Sequence, residues 1–138
     1  MIKDDVQQRL AAGLGALLLE DSYMLEIGVA ERSLIARLSQ HLKPLFPDYS
    51  VDCDYNRHGM EVKRAEIPPE CASKIDKAGK AIIIPDLIVH RRGTDRSNLL
   101  VVEAKKSTDP RGSNSDRLRL NALKRELGYA FAALIEFL

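Results

Sequence analysis

AIIIPDLIVH, residues 81–90, and LLVVEAKK, residues 99–106, decide the reading of this chain. Both are apolar runs of strand length, and the turn-forming stretch from Arg91 to Asn98 separates them. The spacing predicts an antiparallel hairpin in the middle of a sheet, with both faces covered. An acid, Asp86, interrupts the first run, while Glu103 and Lys105 interrupt the second. Strand side chains alternate, so Glu103 and Lys105 share one face and Val102 and Ala104 take the other. In the hairpin Asp86 approaches the first pair. Isolated charges in such a setting cost several kcal/mol unless they are paired or bind a metal.

Helical spacing of Val6, Leu10, Leu14, Leu17 and Leu18 predicts an amphipathic helix over residues 2–19. Its Gly13-Leu14-Gly15 is not a phosphate loop, because no strand precedes it and no third glycine follows at the required spacing. Leu34, Ile35, Leu38 and Leu42 form one stripe of a second helix over 29–42, closed by Pro44 and Pro47. Glu31 lies in its first turn, where the macrodipole favours an anion, and it also points along the buried stripe. Alternation predicts a strand over 49–55, and residues 60–80 read as an irregular insertion with one helical turn. Residues 81–90 and 99–104 are the two apolar strands. Ser115 or Asp116 is expected to cap a helix over 117–127 that Gly128 ends, and 129–138 alternates as a last strand.

The fold expected is therefore α/β, a mixed four-stranded sheet flanked by helices. The 138 residues fit one domain, 1–138, with 1–26 as an N-terminal helical extension. Hydrophobic residues make up 45% and charged residues 30%, which excludes a disordered chain. No apolar run approaches the roughly 18 residues of a membrane span. The first residues lack the basic-then-apolar order of a secretory signal, so a cytoplasmic protein without a membrane partner is expected. Cys53 and Cys71 are too few and too far apart for a zinc or redox motif and read as free thiols. The net charge of +1 hides an asymmetry, −4 over residues 1–56 and +6 over 87–125. The basic second half points to a polyanionic partner, although charge runs usually form solvated faces.

Two carboxylates facing one point, with no His or Cys beside them, suit Mg²⁺ or Mn²⁺ rather than zinc. A neighbouring lysine can orient water and stabilise charge on an attacked phosphate, as metal-assisted phosphodiester hydrolysis requires. The rival reading is a buried ion-pair cluster with no catalytic role. The histidines at 41, 58 and 90 share no ligand spacing, with His90 placed on the strand face of Asp86. The loop serines lack a His and Asp pattern, which disfavours a hydrolase triad. With no Trp and 5% aromatic residues, no stacking platform for single strands is expected.

Pro85-Asp86, 16 intervening residues, then Glu103-Ala104-Lys105 resembles the signature of the PD-(D/E)XK nuclease superfamily. Glu31 is similar to the acid that many members carry on the helix before the first core strand. The resemblance covers residues 28–137 and implies a three-layer restriction-endonuclease-like core, close to small Holliday-junction resolvases and restriction-like nucleases. It further implies a Mg²⁺- or Mn²⁺-dependent endonuclease with Glu31, Asp86, Glu103 and Lys105 as catalytic residues. Asp86, Glu103 and the Ala104 carbonyl would hold the metal. The helix bearing Arg117, Arg119, Asn121, Lys124 and Arg125 would contact the nucleic-acid backbone, DNA being the expected substrate and a homodimer an expected assembly. The insertion at 60–80 departs from the pattern. The alternative is a non-catalytic domain of the same fold that binds nucleic acid or a partner protein.

Overall fold

The computed structural model describes all residues except 56, 59, 60, 63–67, 78, 80, 108–113 and 138. Parts of the expected insertion at 60–80 and of the loop before the last helix therefore lie outside the described residues. Helices α1 (Lys3–Glu20), α2 (Ser22–Glu26) and α3 (Glu31–Leu42) come first, then strand β1 (Ser50–Cys53). After the insertion follow β2 (Leu87–His90), β3 (Leu100–Lys106), α4 (Asn114–Leu127) and β4 (Phe131–Phe137). The sheet runs β1-β2-β3-β4. β2 is antiparallel to both β1 and β3, and the crossover helix α4 makes β4 parallel to β3. The mixed four-stranded sheet expected between helices is thus present.

Alternation splits the core in two. Leu87, Val89, Leu100, Val102 and Ala104 face α1 and α3, packing on Val6, Leu17, Ile35, Leu38 and Leu42. Ile88 and Val101 face the other way, onto Leu120, Leu123 and Leu127 of α4. α1 and α3 approach closely at Gly13, where an added Cβ would lie 2.4 Å from Leu42 Cδ2. That approach is what Gly13 serves.

Two local expectations are corrected. Residues 81–90 are not one strand: Ala81–Ile82 pairs with Lys74–Ile75, the chain leaves the extended ladder, and β2 starts at Leu87. Pro85 has no N–H to give a ladder, which breaks the run just before Asp86. α4 begins at Asn114, so Ser115 and Asp116 lie inside its first turn and neither is its cap. Asp116 there favours the positive end of the helix dipole. The turn after α1 contains the short helix α2. Within the insertion, Pro69–Cys71 forms one 3₁₀ turn, and the Cys71 thiol donates to Ser115 Oγ at 3.3 Å. Cys53 and Cys71 are both free.

Candidate active site

β2 pairs with β3 only as far as Leu87↔Val102. Carrying that register one step further sets Asp86 opposite Glu103, on the α4 face of the sheet. Beyond this point the β3 edge that β2 had covered is open, and residues 104 and 106 turn their main-chain groups toward it. Two acids close it. Asp86 Oδ2 accepts the Ala104 N–H at 2.8 Å, and Glu31 Oε1 accepts the Lys106 N–H at 2.8 Å. In an extended strand the N–H and C=O of one residue share a side, so the Ala104 carbonyl lies on the edge that Asp86 occupies.

Glu103 is 1% exposed. Burial, and after it the charge and hydrogen bond of Asp86, push its carboxyl well above the usual carboxylate range; Arg119 acts in the opposite sense without reversing the shift. Arg119 Nη2 is 3.1 Å from Glu103 Oε1. The contact is an ion pair whose angle does not meet that of a hydrogen bond, so Oε1 has no hydrogen-bond partner among the described residues. Lys105, 6% exposed, shares the strand face of Glu103, and its buried Nζ also lacks a hydrogen-bond partner among the described residues. Such atoms are rare in folded proteins and call for an explanation.

Among the described residues, no three His, Cys, Asp or Glu side chains are grouped closely enough to hold a metal ion. Two carboxylates and a main-chain carbonyl nevertheless fit Mg²⁺, which commonly takes one or two protein carboxylates and completes its shell with water and substrate phosphate. The unsatisfied Glu103 Oε1 beside Asp86 meets the same requirement. A cavity of about 320 Å³ adjoins the site, lined by Glu31, Asp54 and Asp86 among others.

Of the expected site residues, Glu31, Asp86, Glu103, Ala104 and Lys105 come together at this strand edge. Those of α4 divide. Arg117, Asn121 and Lys124 are exposed, whereas Arg119 is directed inward, donating to Ile84 O at 3.0 Å and Ser73 Oγ at 3.3 Å besides its contact with Glu103. Its placement had a signal, since Arg119, Leu123 and Leu127 recur at helical spacing on one face. Lys124 lies away from the site, in the groove beside β4. Arg125 is exposed and pairs with Glu126. His90 is not at the site; it bonds Asp52 Oδ2 at 2.7 Å on the far part of the sheet.

Asp54 was not foreseen. It follows β1 with φ of +51°, donates its N–H to Asp86 O at 3.2 Å and pairs loosely with Arg32 at 3.6 Å. Left-handed backbone at a non-glycine residue is uncommon, and Asp is among the types that tolerate it. Its position just past a strand end, level with Asp86, was the only clue. No family model, curated protein or solved structure matches this chain.

Proposed function

We propose that this chain is a divalent-metal-dependent nuclease that hydrolyses phosphodiester bonds, with DNA as its substrate and a restriction-endonuclease-like core as its frame. One observation carries the reading: Glu103 and Lys105 are buried on the same strand face, Glu103 lies beside Asp86, and neither Glu103 Oε1 nor Lys105 Nζ has a hydrogen bond among the described residues. A structural ion-pair cluster would join these two groups to each other; here Glu103 meets Arg119 at 3.1 Å instead, and Lys105 Nζ keeps no hydrogen bond among the described residues, which suits a site that takes a cation and a phosphate.

In this reading Asp86, Glu103 and the Ala104 carbonyl hold Mg²⁺ or Mn²⁺. The ion supplies Lewis acidity toward the phosphate and acidifies bound water. Lys105 orients the attacking water and stabilises charge on the phosphate. Arg119 holds Glu103 in position from α4. Glu31, fixed by the Lys106 N–H, borders the path of the substrate through the cleft it shares with Asp54 and Asp86. Arg117 and Asn121, on the exposed side of α4, meet the DNA backbone.

The test is cleavage of linear, flapped and four-way-junction DNA with Mg²⁺ and with EDTA, by the native chain and by Asp86→Asn. Metal-dependent cutting that Asp86→Asn abolishes is the expected result. Binding of DNA without any cutting or any Mg²⁺ uptake would assign the chain to non-catalytic binding instead.

A further inference from the structure

The outer edge of β4 bears on assembly. β4 is the last strand of the sheet, and its seven residues, FAALIEF, contain no Pro, Lys or Arg. Natural edge strands of this length are commonly protected by such residues, by a bulge or by a covering element. The main-chain bonds fix which groups point outward. Phe131 donates its N–H to Leu99 O, and Phe137 O accepts the N–H of Ser107, so the odd-numbered residues turn toward β3. Ala132, Leu134 and Glu136 therefore turn their N–H and C=O groups away from the sheet, and none of the three has a main-chain partner there among the described residues.

We infer that this edge pairs antiparallel with the β4 edge of a second copy of the chain, about a two-fold axis at Leu134. The parity allows that register. Leu134 faces its own copy as a hydrogen-bonded pair, and Ala132 faces the partner's Glu136 as another, giving about six main-chain hydrogen bonds across the axis. The pairing is also matched in charge. Glu136, the only charged side chain of β4, meets Ala132 of the other copy and not its own equivalent. Lys124 lines the groove that runs beside Ala130, Phe131, Ala132 and Ala133, so each Glu136 arrives next to a Lys124. Open cavities of about 560 Å³ and about 360 Å³ flank the first and second halves of the strand, the second lined by Leu14, Leu17, Leu18 and Leu25. A two-fold axis brings unlike halves together, which is the self-complementarity that a closed dimer needs. The inference rests on the strand edge and not on the nuclease reading.

Sedimentation velocity over a concentration series tests it, with circular dichroism as the control for folding. Three variants are compared with the native chain. Ala132→Pro removes an outward N–H and no ladder bond, so the monomer should keep its sheet and lose the dimer. Glu136→Lys should weaken dimerisation by about tenfold by placing like charges together at two symmetric points. Adding Lys124→Glu to Glu136→Lys should restore it. A native chain that stays monomeric up to its solubility limit overturns the inference, and so does a dimer that Ala132→Pro and Glu136→Lys leave intact. Dimerisation by a chain that cuts no DNA would leave it standing while removing the proposed function.

Discussion

Asp86 and Glu103 bring two carboxyl groups together one position past the last paired residues of β2 and β3, and the more buried of them, Glu103, is pushed toward its protonated form. Because that acid is raised in the folded chain, its sign is the reverse of a surface salt bridge. The metal-free protein gains relative stability below about pH 4.3, the ordinary glutamate value, and loses it as pH rises toward the raised folded value. Glu103→Gln should therefore stabilise the protein in EDTA at pH 7, by on the order of 1–3 kcal/mol, with the advantage vanishing below about pH 4. Urea unfolding at the two pH values measures it. In Mg²⁺ the same variant should show weaker ion binding by calorimetry.

Lys105 separates chemistry from metal binding. Lys105→Met keeps most of the apolar stem and removes an ammonium that has no hydrogen bond among the described residues. Cleavage at saturating Mg²⁺ should fall by an amount equivalent to about 2.7–4 kcal/mol of transition-state stabilisation, if the loss resembles that of one preorganised donor. The melting temperature should rise and Mg²⁺ affinity should stay within a small factor of native. Near-native turnover would show that Lys105 takes no part in the reaction.

Away from the site, Asp52 gathers His90 at 2.7 Å and Arg92 Nε at 3.0 Å. Burial raises its carboxyl, but the Arg92 and His90 hydrogen bonds outweigh that and leave it lowered. A depressed acid contributes stability that is present above its unfolded value of about 3.9 and is lost as pH falls through its folded value. Asp52→Asn should thus cost about 1–2 kcal/mol at pH 7 and progressively less below pH 4. Chemical denaturation from pH 7 down to pH 3 would reveal the convergence; a constant difference would mean that the charge of Asp52 is not what matters.

The two glycines of α1 should respond oppositely to a side chain. Nothing lies within 4 Å of a Cβ built at Gly15, so Gly15→Ala should stabilise by about 0.5–1 kcal/mol through helix propensity alone. At Gly13 the buried Leu42 stands in the way, so Gly13→Val should destabilise by about 1–3 kcal/mol. Thermal unfolding of both variants checks the pair.

The legible parts of this fold were those written in periodicity. Leu34, Ile35, Leu38 and Leu42 announce α3, and all four are buried. The alternation around Glu103 and Lys105 likewise predicts a shared face. Less legible was where a ladder stops, because residues 81–90 are apolar apart from Asp86 and His90 and only Pro85 marks the break. The inward turn of Arg119 was obscured by its charge, which reads first as a solvated or DNA-facing group. The Asp52, His90 and Arg92 cluster joins residues of β1 and β2 with the loop that follows, and only the strand register brings them together.

Asp86 and Glu31 occupy main-chain donors that β2 would otherwise have taken, so the acids of the candidate site are also the stitching of a strand end. That double duty constrains the evolutionary routes open to the chain. An aliphatic replacement would strand a peptide N–H as well as remove a carboxylate, and selection for a folded chain would act against it even where cutting brought no advantage. Drift toward inactivity would run through Asn and Gln, which keep an oxygen for the peptide group, and lineages that had abandoned cleavage would be marked by amides at 31 and 86.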